Sequence, residues 1–204
     1  MLDHYVIVTF SRDAVIAGSL EGLRMPLRAF AAHRYDDVAG TAWMPWLEQL
    51  QEQAKLTASS ASLELAAAGV ATMARTCGDC HRASGRGPRL DERAIAPREH
   101  RGFSSSPLQK RMSQHMWAAE QLWDGLVVPS DAAWEAGASA LAHLATDTPQ
   151  DDPPLSPAFA SALLDVRALG ERAQGVSTQA DRASVYGLLL ASCAGCHAQL
   201  EPND

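Results

Sequence analysis

The chain has 204 residues, of which 47% are hydrophobic and 20% charged. That is ordinary globular composition, with length for one large domain or two of about 100 residues. Twenty-four acids against 17 bases leave a formal charge of −7, which excludes a broad nucleic-acid surface, since no Lys/Arg excess is there to neutralise phosphates. No apolar run approaches the ~20 residues of a membrane helix; the longest are stretches such as Tyr5–Val8 and Val185–Ala191. The opening Met1-Leu2-Asp3-His4 lacks the pattern of a secretory leader, so the chain is either cytoplasmic or a processed form.

The pattern is helical nearly throughout, rich in alanine and poor in β-branched runs. A first helix is predicted near 3–17 and is broken at Gly18-Ser19. Ser19 then serves as N-cap for a second helix near 20–33, in which Pro26 is expected to kink the helix or move its start. Pro45 opens a third near 45–56, and a fourth runs near 61–82. The stretch 84–107, with Gly85, Gly87, Pro88, Pro97, Gly102 and serines 104–106, reads as a linker. Helices are then predicted near 109–126, 131–146, 157–174 and 179–200. A proline-bearing loop spans Asp147–Leu155, and Ser156-Pro157 forms the start signal of the seventh helix. The expected architecture is all-α: two tandem four-helix bundles, residues 1–83 and 108–204, joined by 84–107.

A repeat underlies this division. Residues 4–19 lie on 115–130 without a gap, at an offset of 111. His4 falls on His115, Asp13 on Asp124, Ile16 on Val127 and Ser19 on Ser130. All four cysteines of the chain fall in two copies of one motif, Cys77-Gly78-Asp79-Cys80-His81 and Cys193-Ala194-Gly195-Cys196-His197, 116 residues apart. The second half is thus about five residues longer. Each motif closes the last helix of its half. C-x-x-C-H is the attachment pattern of c-type haem: the thiols add to the two porphyrin vinyl groups, and the adjacent His lies under the iron as proximal ligand. Two other readings compete. A Cys₄ zinc site would leave both histidines unexplained and would require the motifs to meet. A redox dithiol would start a helix after a strand, whereas both motifs here end a helical segment.

A C-x-x-C-H motif near the end of a fourth bundled helix resembles the class II c-type cytochromes, the cytochrome c-prime family and its six-coordinate relatives. The resemblance covers 1–83 and again 109–201. It implies covalent haem on Cys77 and Cys80 and on Cys193 and Cys196, with His81 and His197 as proximal ligands. Six-coordinate members take the distal ligand near the start of the first helix, where this sequence offers His4 and His115 in place of methionine. Up-down-up-down topology brings the start of the first helix beside the end of the fourth, so iron is expected between His4 and His81 and between His115 and His197. Since haem is attached to such motifs outside the bacterial cytoplasm, the resemblance also implies a periplasmic or otherwise exported protein.

The expected function is electron transfer by a dihaem cytochrome with an unidentified redox protein partner, no membrane span and no catalysis, because fully ligated iron has no open position. The alternatives are a gas-binding protein for nitric oxide or carbon monoxide with an open haem site, or a small dihaem oxidoreductase. His33 and His143 read as helix-end groups favoured by the dipole. Trp43, Trp46, Trp117, Trp123 and Trp134 read as core or porphyrin-packing residues, and Arg12-Asp13 as a helix-surface pair. Met112 and Met116 could compete for iron, but they align with Met1 and Tyr5. Gly85-Arg86-Gly87-Pro88 reads as a turn leading off the haem edge. No Ser/His/Asp set or paired-carboxylate constellation stands out.

Overall fold

A computed structural model describes residues 2–35, 40–85, 87–90, 107–144 and 157–200. Among them are eight helices and no strand: α1 (Leu2–Ile16), α2 (Leu20–Ala32), α3 (Met44–Ala58), α4 (Leu63–Ser84), α5 (Pro107–Val127), α6 (Asp131–Ala142), α7 (Pro157–Gln174) and α8 (Gln179–Leu200). The all-α expectation is met. Most of the 84–107 stretch, the loop 147–155, Ser156 and the tail 201–204 lie outside the described residues.

Local chemistry sets the boundaries. The hydroxyls of Ser19 and Ser130, equivalent in the repeat, accept from the Gly22 and Ala133 amides at 3.0 and 3.2 Å, each satisfying an orphan N–H of a helix start. Pro45 sits in the first turn of α3, where its missing N–H costs nothing. Pro26 lies inside α2 without moving its start. Helix α4 begins later than expected because Ser62 caps it, its hydroxyl accepting from the Leu65 amide at 3.4 Å. Its end is a left-handed Gly85, φ 62°, a conformation that suits glycine. Helix α6 stops at Ala142, four residues short of the expected end. There the His143 ring Nδ1 lies 2.7 Å from the Ser139 carbonyl and takes up one of the helix's orphan acceptors.

Within each half, consecutive helices pack on one another: α1 on α2, α2 on α3, α3 on α4, and likewise α5 on α6, α6 on α7, α7 on α8. The most extensive contact, however, joins the halves. Helices α4 and α8, each of 22 residues, cross where a Cβ on Gly187 would lie 3.2 Å from Ala68 Cα and 3.5 Å from Ala71 Cβ. Small residues bring the two backbones close, burying Ala67, Ala71, Val185 and Gly187 at the crossing. Both α1 and α5 touch α4 and α8 alike. One continuous core results, running from Val15, Leu23 and Phe30 through Val70 and Met73 to Trp123, Tyr186 and Leu190. The four-helix halves therefore share their interior rather than each enclosing a separate one.

Covalent continuity through 91–106 is not needed to hold the halves together. With a protease site introduced there, the cleaved fragments should co-elute as one species in size-exclusion chromatography. Gly187→Leu, which wedges α4 from α8, should lower stability by about 1–3 kcal/mol and promote separation of the cut fragments. Fragments that separate in the unsubstituted chain would refute the shared core.

Candidate functional site

The two motifs lie at opposite ends of the molecule. The end of α4 meets the end of α5: a Cβ on Gly78 would fall 2.0 Å from the Leu126 carbonyl oxygen. The end of α8 meets the end of α1: a Cβ on Gly18 would fall 3.9 Å from the Ala194 carbonyl oxygen. The α4–α8 crossing sets residues near 68 against 187, and a groove between the two helices carries Glu64 and Arg75 with Ala180 and Ala191. His115, twelve residues before Val127 on α5, shares a cavity with His197 while Val127 meets His81, so the pair is antiparallel, and at 1.5 Å per residue His81 and His197 stand about 35 Å apart along it. Cysteines of the two motifs do not meet, which removes the shared Cys₄ zinc site.

In the second half, an open-sided cavity of ≈ 210 Å³ gathers His115 from α5 with Ser192, Cys193, Cys196 and His197 from α8. Its walls are apolar: Ile16, Ala119, Leu141, Phe159, Leu163, Val166 and Leu189, with Met112 and Met116 beside His115. The Nε2 atom of His115 is buried and has no hydrogen-bond partner. Such an atom costs free energy unless something coordinates it. Desolvation, with Arg111 one turn away, brings the His115 pKa down to about 4, so the imidazole is neutral at physiological pH.

The motif histidines are held alike. His197 Nδ1 lies 2.7 Å from the Ile16 carbonyl oxygen, and His81 Nδ1 2.7 Å from that of Val127. A carbonyl can only accept, so each Nδ1 carries a proton, and in the neutral ring this leaves the Nε2 lone pair free to bind. Gly87 packs against the base of the His81 side chain, where an added Cβ would meet the histidine's own Cβ and Cγ. Cys77 is buried, while Cys80, Cys193 and Cys196 are partly so, and all four are unbridged. Burial pushes Cys77 up to about 12 and Cys193 up to about 11, and raises Cys80 and Cys196 in the same direction. A reactive redox dithiol needs the opposite shift. His4 is half-buried in the first turn of α1.

His33 and His143 cap α2 and α6 at the surface. Trp123 and Trp134 are fully buried, while Trp43, Trp46 and Trp117 are half-buried. The surface reading of Arg12 does not hold. Arg12 is 7% exposed, stacks on Trp123 at 5.2 Å and pairs with exposed Asp13 at 2.7 Å. Tyr186, tilted against Trp123 at 5.8 Å, completes this cluster, its phenol held well above the usual range by burial. Arg182 repeats the device, over Trp134 at 5.2 Å and 2.7 Å from Asp131. Sequence reasoning missed both clusters, as well as the Ile16 and Val127 carbonyls. The repeat that aligns Ile16 with Val127 was the available signal for the carbonyls.

No family model, curated protein or solved structure matches this chain. Among the described residues, no three His, Cys, Asp or Glu side chains converge on a bare metal site, and no helix is long and apolar enough to cross a membrane.

Near the Arg12 cluster, burial and Glu120 raise Asp124 to about 6. The folded pKa lies above the unfolded value, so this contribution to stability is complete below pH ~4 and is lost as pH rises through about 6. Asp124→Asn should flatten that window in denaturation profiles and raise stability at pH 7 by roughly 2 kcal/mol after solvent screening.

Proposed function

We propose that the chain is a dihaem c-type cytochrome that carries electrons, with one haem attached through Cys77 and Cys80 and the other through Cys193 and Cys196. The observation that carries this reading is the second-half cavity. A neutral, orphaned Nε2 of His115, two motif thiols and a His197 ring with its Nδ1 committed elsewhere share one apolar pocket. These are the donors that a covalently held, bis-imidazole iron porphyrin requires, in the surroundings it requires. The fit is of chemistry: soft thiols that would take the vinyl groups, two imidazoles that would ligate iron, and aliphatic and aromatic walls that would line the ring.

When bound, haem supplies one-electron chemistry between ferric and ferrous iron. The chain's own residues do the rest. His197 and His115 would ligate the iron of the second site; His81, and His4 by its equivalence to His115, would ligate that of the first. Phe159, Leu163, Val166 and Leu189 line the second site with apolar surface, which would lower the dielectric around a bound haem. With two imidazoles per iron, no position would remain for a substrate or gas, which favours a carrier over a catalyst. Two imidazoles set a lower potential than a His/Met pair would. The proposed setting is periplasmic or otherwise exported, with a redox protein as partner. The charge of −7 suits a partner with a basic face.

A pyridine haemochrome assay after acid-acetone extraction should return two c-type haems per chain. In ferric EPR both should be low-spin, and His115→Ala should convert one of the two to a high-spin, ligand-binding form while the other is unchanged. Haem that extracts into solvent, or a spectrum indifferent to His115, would overturn the assignment.

A further inference from the structure

The hydrogen bonds that orient the motif imidazoles run between the halves. His81, on α4, donates to Val127, the last residue of α5; His197, on α8, donates to Ile16, the last residue of α1. The two acceptors occupy one position of the repeat, 111 residues apart. Both are terminal helix carbonyls, which have no acceptor duty within their own helix. We infer that the ends of α1 and α5 are positioning elements exchanged between the halves, the Ile16 carbonyl setting the His197 ring and the Val127 carbonyl setting the His81 ring. The inference rests on the haem reading only for what the positioned rings would bind.

Packing around each bond supports the exchange. Helix α1 ends where it does because Gly18 adopts φ 73°, a left-handed conformation that side chains with a Cβ resist. That turn lies against Ala194, in the middle of the second motif. At the other end, the absence of a side chain at Gly78 lets α4 rest on the backbone of Leu126, next to Val127. The two carbonyl-bearing helices are themselves tied together. Arg12, one turn before Ile16, stacks on Trp123, one turn before Val127. An outer-shell acceptor of this kind fixes the tautomer and raises the basicity of the ligating nitrogen, and its loss typically lowers affinity 10- to 100-fold. Each half therefore tunes the ligand of the other.

The test uses full-length holoprotein labelled with ¹⁵N-histidine and reduced to the diamagnetic state. The unsubstituted protein should show slowly exchanging Nδ1–H signals for His81 and His197, with NOEs from His197 to the Ile16-Ala17 segment and from His81 to the Val127-Val128 segment. Gly18→Val, a change in the first half, should speed exchange of the His197 proton about tenfold and shift the potential of the second site alone. Gly18→Asn, which tolerates the left-handed conformation, should restore both. Absence of the cross-half NOEs, or a response of His81 in place of His197, overturns the inference. Should Gly18→Val fail to fold, the NOEs of the unsubstituted protein decide it. Should the chain carry no haem, the functional reading falls, and the same Nδ1–H signals and NOEs in the haem-free chain still decide the positioning.

Discussion

The close crossing of α4 and α8 is the constraint on which the rest of the molecule depends. Each helix carries its motif at its C-terminal end, and the two run antiparallel. Packing them at Ala68 and Gly187 therefore sends the motifs to opposite poles. It also decides what each motif meets there. With α4 and α8 back to back, α1 and α5 fill the flanks and touch both, and their C-terminal carbonyls arrive beside the rings of His197 and His81. A separate bundle for each half would have left those carbonyls to water.

The buried polar groups follow the same geometry. Arg12 and Arg182 enter the interior because each finds a tryptophan face and a carboxylate at its rim. A guanidinium is less strongly hydrated than an ammonium and stacks flat on an indole, so arginine can occupy a place that lysine would leave for solvent. The Arg12, Trp123 and Tyr186 cluster sits midway between the poles, with one residue from each of α1, α5 and α8.

Much of this was legible in the sequence, and the reasons differ by level. Alanine-rich periodicity and serine and proline start signals located all eight helices, since these act within a turn or two of chain. Helix α6 ended early because a histidine side chain, rather than a glycine or proline, terminates it, and no propensity encodes that. The motif residues were visible because all four cysteines fall in two copies of one fixed spacing. His115 was visible because a repeat singled it out among seven histidines, and its cavity with Cys193, Cys196 and His197 agrees with antiparallel packing of α5 on α8. The shared core was not legible. The polar stretch between the halves suggested independence, yet helix faces rich in small residues pair with whatever partner fits, and their preference for each other is a matter of shape. The carbonyl acceptors lay beyond sequence reasoning for a related reason: every residue has one, so only the fold says which is used.

The link from Ile16 to His197 spans 181 residues. Helical proteins usually fold fast because their contacts are local, and the hairpins α1–α2 and α5–α6 fit that rule. The imidazole clamps do not. At a synthesis rate of about 5–20 residues per second, α1 waits some ten seconds or more for the helix it must hold, and α4 likewise needs α5 to reach its end. The polypeptide is thus committed to helix early and to its two sites late, with loop-closure entropy setting the delay. A chain that stops before α8 lacks the helix that bears the second motif and packs against the first-half helix α4.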